Sequence, residues 1–336
     1  MIFFSLFPFQ IVFGGETTLL FGGDVMLGRL MNKATGRKPA SMVWGDVRGI
    51  LQGADLTLVN QEFAITSSKK EGGKKAYYFR ADPGVISLLK SAGIDYVSLA
   101  NNHILDYGPV GLSDSIDYLE RAGIAHAGAG ENRSAAREPA RLKAGNLSIA
   151  VISITDNEPE WNAGEKSPGI FYLPIRADSV PVIRAIATEA RKEGAHFIIL
   201  SAHWGGNWVE RPSSAFKSFA HAVMDAGVDL VHGHSGHVIQ GIEIYRGKPI
   251  FYNMGDVIDD YAVDPVKRND LACLAHVILV GDKVVRVEAI PTAIDHFRVG
   301  RATGENFDFV YERLKKLSGE MGTEVKRNHD RLQIEF

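Results

Sequence analysis

Five short apolar runs in this chain each stop at a polar group able to ligate or hydrogen-bond, and helical patterns fill the intervals. Residues 18–21 stop at Gly22-Gly23-Asp24, 56–59 at Asn60-Gln61-Glu62, and 96–100 at Asn101-Asn102-His103. Residues 197–201 stop at Ala202-His203-Trp204, and 228–231 at His232-Gly233-His234. Runs of this length bounded by such residues read as buried strands. Their alternation with helices reads as α/β layering. In open α/β sheets ligands gather beyond the carboxyl ends of the strands, so the recurrence predicts a site together with a fold.

Apolar spacing and glycine stops predict helices over 83–92, 110–122, 181–193 and 214–226. Beyond Gly236 the pattern turns strand-rich, with Ile239–Tyr245 paired to 249–252 across Arg246-Gly247-Lys248, and 274–279 paired to 284–290 across Gly281-Asp282. No repeat and no linker divides the chain. It reads as an extension over 1–17, one domain over 18–300, and a helical and strand extension over 301–336. The charged loop KKEGGKK, 69–75, reads as solvated surface, with a local anion contact as its functional alternative.

The 336 residues carry a formal charge of −3, which gives no bulk electrostatic case for nucleic acid. The single cysteine, Cys273, excludes an internal disulfide and a cysteine-rich zinc site. Residues 1–13 are mostly apolar but too short to span a bilayer as a helix. No basic residue precedes Arg29, and no small-residue cleavage site follows, so they read as a buried or mis-started extension rather than an export signal or anchor. A cytoplasmic location is favoured over an exported or membrane-associated one.

Asp24, Glu62, Asn102, His203, His234 and His237 are hard-oxygen and imidazole groups placed at or near strand ends. Such a set suits one or two divalent cations. His232, whose strand-alternate position turns it towards the sheet, is a weaker ligand candidate with a supporting or core role as its alternative. Arg29 and Arg80 are candidates for substrate carboxylates, and Asp256, Asp259, Asp260 and Tyr261 for a substrate amine. Trp204, Asn207 and Trp208 stand in a Gly-rich loop and are candidates for an aromatic wall. Asp106 either holds His103 or caps the following helix.

The motifs GGDVMLGR (22–29), ADLTLVNQE (54–62), LANNHILDYG (99–108), AHWGGNW (202–208) and HGHSGHVIQGIEIYRGKPIFYNMGDVIDDY (232–261) resemble, in this order, those of the calcineurin-like metallophosphatase superfamily. The wording is closest to its CapA branch, the bacterial capsule and poly-γ-glutamate synthesis proteins. The resemblance runs from about Thr18 to about Pro291. It implies a four-layer α/β/β/α sandwich with two mixed sheets, and a role in making, moving or anchoring a polyglutamate-type polymer. Carried over by position, it implies one metal at Asp24, Glu62 and His237 and another at Glu62, Asn102, His203 and His234, with Glu62 bridging.

His103 is then implied as the general acid that contacts substrate oxygens. The chain departs from the superfamily where Met26 replaces a histidine ligand, where Glu62 replaces an aspartate, and where Gly-His-x-His becomes Gly-His-Ser-Gly-His. The first site should accordingly bind weakly, and a metal-free protein is allowed. The ions in question are Mn, Fe, Zn or Mg, and the partners a glutamyl polymer or peptide and subunits of a membrane synthase. The leading expectation is metal-assisted attack on an amide or phosphoester. Two alternatives are a metal-independent peptide epimerase, pairing Asp24 or His103 with His234 or His296, and a non-catalytic polymer-binding subunit.

Overall fold

The computed structural model describes residues 15–35 and 39–336, so the expectation for the first fourteen residues lies outside the described residues. Two sheets dominate. The larger runs Val325–Asn328, Arg331–Ile334, Lys283–Asp295, Leu271–Val280, Glu16–Val25, Leu56–Gln61, Tyr96–Ser98, Ala125–Ala127. Asp256–Ile258 joins the strand Glu16–Val25, and Arg298–Arg301 joins Lys283–Asp295. The smaller sheet runs Ile239–Tyr245, Lys248–Met254, Leu230–His234, Phe197–His203, Leu147–Thr155, Ala140–Ala144. Both are mixed: in the smaller sheet a parallel centre is flanked by antiparallel strands, and in the larger the strands from Glu16–Val25 to the edge strand Ala125–Ala127 run parallel while those on the other side run antiparallel.

Side-chain parity shows how the layers stack. Along a strand successive side chains point to opposite faces. Leu19 and Phe21 share an apolar cluster with Ile199, Phe251 and Val277, between the sheets. Leu20, between them in sequence, packs outward with Leu89, Leu112 and Leu119 of the helices Ile86–Ser91 and Gly108–Ala122. On the other side Ile198 and Leu200 pack outward against Ile183 and Val223 of the helices Val180–Lys192 and Ser214–Asp225. Strands covered on both faces read as continuous apolar runs, which is why these were legible. The result is a four-layer α/β/β/α sandwich, and burial of each large aliphatic side chain contributes about 1.5–3 kcal/mol.

The helices fall close to their expected places. Val180–Lys192 buries Val180, Ile183, Ala187 and Ala190 at helical spacing and carries Pro181 in its first turn. Ser213 caps Ser214–Asp225 by accepting from the Phe216 N–H at 3.2 Å. Gly108–Ala122 stops at Gly123, whose φ of 73° is left-handed. The stretch expected as one helix over 83–92 is instead a 3₁₀ turn, Pro83–Val85, followed by Ile86–Ser91.

The carboxyl-terminal segment is built into the body. Glu305–Gly319 lays Val310 and Leu314 into the inter-sheet cluster. The hairpin that follows extends the larger sheet, with Val287 opposite Ile334 and Ala289 opposite Leu332. Among the described residues no helix is long and apolar enough to cross a membrane.

Candidate metal centre

Because the central strands of each sheet are parallel, their carboxyl ends lie together, and the two edges meet. Asp24 lies opposite Asn60 in one sheet, and His203 opposite His234 in the other. Across the gap Asp24 Oδ1 stands 3.8 Å from His203 Nδ1 and 3.7 Å from His234 Nδ1, and Asp24 Oδ2 stands 3.5 Å from His237 Nδ1. Glu62 Oε1 is 3.8 Å from His203 Nε2. Asn102 Oδ1 is 3.0 Å from the same nitrogen. The six candidate ligands therefore form one connected set, buried apart from the half-buried Asn102.

Among the described residues two groups have the spacing of a metal site: Asp24, His203 and His234, and Asp24, Glu62 and His237. The carboxylate common to both is Asp24, where the resemblance implied Glu62. Asn102 reaches the set by accepting from His203 Nε2–H. That bond leaves the Nδ1 lone pair of His203 facing His234 Nδ1, 3.1 Å away. His234 Nε2 is meanwhile engaged by Ser201 Oγ at 2.9 Å.

His203 Nδ1, His234 Nδ1 and Asp24 Oδ1 thus converge in a buried space, bridged by the His203–His234 contact and by Asn60 Nδ2, 3.3 Å from His203 Nδ1 and 2.7 Å from Asp24 Oδ1, and all three can serve as donors to a cation placed among them. Both oxygens of Glu62 are buried with no hydrogen-bond partner among the described residues, a costly arrangement for a carboxylate that meets no cation. The residues present fit a divalent metal.

Electrostatics tell the same story. Burial, reinforced by the charge of Asp24, holds Glu62 well above the usual carboxylate range. Burial also raises Asp24, against the opposing pull of His237. His203 and His234 are held well below the usual histidine range by burial and by neighbouring imidazoles, so both rest as neutral donors. His232 is turned between the sheets with Nε2 2.8 Å from the Gly22 carbonyl, and burial lowers it to about 4. It supports the site rather than entering it.

His103 stands beside the set, with Nε2 3.9 Å from Glu62 Oε1. Asp106 Oδ2 accepts from its Nδ1 at 2.6 Å and from the Phe79 N–H at 2.6 Å. Of the two roles expected for Asp106, holding the imidazole is the one seen. The helix Gly108–Ala122 has no side-chain cap.

Several other expectations are corrected. Trp204 does not face a cleft. It is 2% exposed, stacked between Phe216 and Tyr252, and donates Nε1–H to the Tyr252 carbonyl at 3.0 Å. A side chain at that position of a strand end points back into the outer helical layer. Asn207 is exposed and Trp208 half-buried, its ring 5.5 Å from His237 and 5.6 Å from Tyr261.

Arg29 pairs with Asp260 at 2.6 Å and lies over Phe79 and Tyr77, with centroids at 4.9 and 5.1 Å. Asp260 also accepts from the Leu30 and Met31 N–H groups, so it anchors the helix Arg29–Thr35 and is not open to a substrate amine. Arg80 is held by Asp82 and the Thr66 carbonyl, both at 2.7 Å. Asp256 is fully buried, so it does not meet a substrate amine. His296, drawn on by the epimerase alternative, is exposed beside Asp295 at a hairpin turn.

One residue was missed outright. Lys75, the last of the charged loop, turns inward: Nζ donates to the Asn102 carbonyl, lies 3.3 Å from Asp106 Oδ1 and 3.2 Å from Glu158 Oε1, and sits 4.6 Å from the Trp161 ring centroid. Asn60 was also passed over, although it shares a strand end with Glu62. Its Nδ2 donates to Asp24 Oδ1 at 2.7 Å.

Comparison with known proteins gives this geometry a family. The model of the bacterial capsule synthesis protein PGA_cap matches residues 18–261. A "Probable polyglutamine synthesis accessory protein" of Mycobacterium tuberculosis is 31% identical, across 94% of this chain and 94% of its own length. The "PGA biosynthesis protein CapA" of Bacillus subtilis is 30% identical, across 71% of this chain and 62% of its own length. Among solved structures, the sulfate thiohydrolase SoxB of Thermus thermophilus superposes with a TM-score of 0.44 at 12% identity, covering 93% of this chain and 61% of that one. With more than half of its residues matched by the family model, the chain belongs to the bacterial capsule synthesis protein PGA_cap family.

Proposed function

We propose that this chain acts in the biosynthesis of a polyglutamate-type capsule or cell-wall polymer, and that its buried centre holds one or two divalent ions and works on an amide or phosphoester bond of a glutamyl chain. The family and the names of the relatives support the polymer. One observation carries the chemistry: Asp24, Glu62, His203, His234 and His237 converge, and Glu62 lacks any hydrogen-bond partner among the described residues. The donors are hard to borderline, suiting Mn²⁺, Fe²⁺, Zn²⁺ or Mg²⁺. A divalent ion here would polarise the bond under attack and lower the pKa of water.

The chain's own residues supply the rest. Asp106 fixes the His103 tautomer with Nδ1–H donating, which leaves Nε2 to take or give a proton towards the Glu62 side of the centre. Burial keeps His103 neutral at rest, and Asp106 opposes that shift and stabilises the ring once it carries a proton. Lys75 pins the loop that bears Asn102, His103 and Asp106. Trp208, half-buried beside His237, offers an aromatic face to an extended chain.

The test uses poly-γ-glutamate and bis(p-nitrophenyl) phosphate with added Mn²⁺, comparing the unaltered protein with Glu62→Gln and His103→Ala. Shortening of the polymer or release of nitrophenol, lost in both variants, is expected. Turnover of neither probe, or turnover equal in all three proteins, overturns the reading.

A further inference from the structure

The sheet edge carries one more buried carboxylate than the resemblance accounts for. At the position where the superfamily places a histidine, Met26 lies in the apolar cluster with Leu27, Met31 and Phe79, its backbone N–H bonded to the Ile258 carbonyl at 2.9 Å. It donates nothing to the centre. The strand that receives this bond, Asp256–Ile258, runs parallel to the first strand with Asp256 directly opposite Asp24.

The approach is close enough to require glycine. A Cβ on Gly23 would lie 1.9 Å from the Gly255 carbonyl oxygen. Side chains opposite each other on adjacent strands share a face, so a second carboxylate is delivered beside Asp24.

Asp256 is fully buried, and its Oδ2 has no hydrogen-bond partner among the described residues. Its Oδ1 is 2.9 Å from His237 Nδ1, which is also 3.5 Å from Asp24 Oδ2. A single ring N–H serves only one of these oxygens. Donor atoms bound at ~2.1 Å around an octahedral ion are separated by about 3.0 Å, so these spacings allow neighbouring ligands, the 2.9 Å contact serving as a hydrogen bond when no ion is bound.

We propose that Asp256 is a fourth donor, with Asp24, Glu62 and His237, for a divalent ion in the half of the centre where the chain has Met26. The inference rests on the metal reading above and reverses the expectation that this half binds weakly. Three carboxylates and one imidazole form a hard, strongly anionic set, which favours Mn²⁺ or Mg²⁺ over Zn²⁺.

The experiment titrates chelator-stripped protein with MnCl₂ by calorimetry, the unaltered chain beside Asp256→Asn, and records each melting temperature with and without Mn²⁺. Asparagine keeps an oxygen that can accept from His237 but removes the charge. The variant should take up one equivalent fewer, or bind that equivalent at least ~10-fold more weakly. Its metal-free melting temperature should not fall, because asparagine keeps the size of the buried carboxyl and an oxygen towards His237. Asp256→Glu, which keeps the charge but displaces it by a methylene, gives the same comparison should the asparagine variant fail to fold.

Unchanged stoichiometry and affinity overturns the role of Asp256 and leaves the metal reading standing. No Mn²⁺ uptake by the unaltered protein overturns both.

Discussion

Replacing the two tryptophans that flank the short loop after His203 should give opposite outcomes. Trp204 is 2% exposed between Phe216 and Tyr252, so Trp204→Ala empties a packed site and costs about 3–5 kcal/mol. The Tyr252 carbonyl also loses its donor, adding about 1 kcal/mol. For a chain of 336 residues the unfolding entropy near the midpoint is about 0.7 kcal/mol/K, so the melting temperature should fall by about 6–9 °C.

Trp208 is half-buried against His237 and Tyr261, and Trp208→Ala should cost about 1 kcal/mol, a shift within ~2 °C. That second variant should weaken binding of a glutamyl oligomer severalfold, since its ring lies beside His237 at 5.5 Å. Thermal melting followed by fluorescence, with calorimetric titration of the oligomer, reads both effects. A melting temperature unchanged in Trp204→Ala, or falling equally in the two variants, refutes the assignment of one ring to the core and the other to the site.

Three further outcomes follow from burial and close approach. Gly23→Ala should push the strands Glu16–Val25 and Asp256–Ile258 apart, because its Cβ meets the Gly255 carbonyl oxygen. A loss of about 3 kcal/mol or more is expected in urea unfolding, together with loss of metal uptake. Cys273 is buried, and burial pushes its thiol up to about 12. It should resist a thiol reagent at pH 8 until the chain is unfolded, as the absorbance of the released thiolate would record.

His232, lowered to about 4 by burial, is neutral in both folded and unfolded states above pH 6.5. As the pH falls from 6.5 towards 4 mainly the unfolded chain takes up the proton, so the metal-free protein should lose about 2.5 kcal/mol relative to His232→Gln between pH 7 and pH 4.5, measured by urea unfolding at both.

The strands were legible because buried parallel strands leave apolar runs, and the ligands were legible because such strands deposit their last residues at one edge. His203 and His234 needed no more than that. The strands Ala140–Ala144 and Leu147–Thr155 went unread although the second is nearly continuous apolar sequence, since it ends at Thr155-Asp156 with no imidazole or Asn-His to mark it.

Lys75 was hidden by its neighbours. Four lysines, a glutamate and two glycines look the same whether one lysine turns inward or none does. Trp204 was misplaced because the glycines after it suggested an open loop, whereas strand alternation turns its ring to the outer layer. Asp256 could be read as an acid in a turn but not as a neighbour of Asp24. Strand order brings together residues more than two hundred positions apart, and local sequence carries no trace of that pairing.

The most direct measurement of the central claim is anomalous scattering from a crystal of the unaltered protein grown with Mn²⁺. The account predicts a strong peak bounded by Asp24, His203 and His234, and a second bounded by Asp24, Glu62 and His237. A map with no peak among these side chains at saturating Mn²⁺, the imidazoles meeting only solvent and one another, would contradict it.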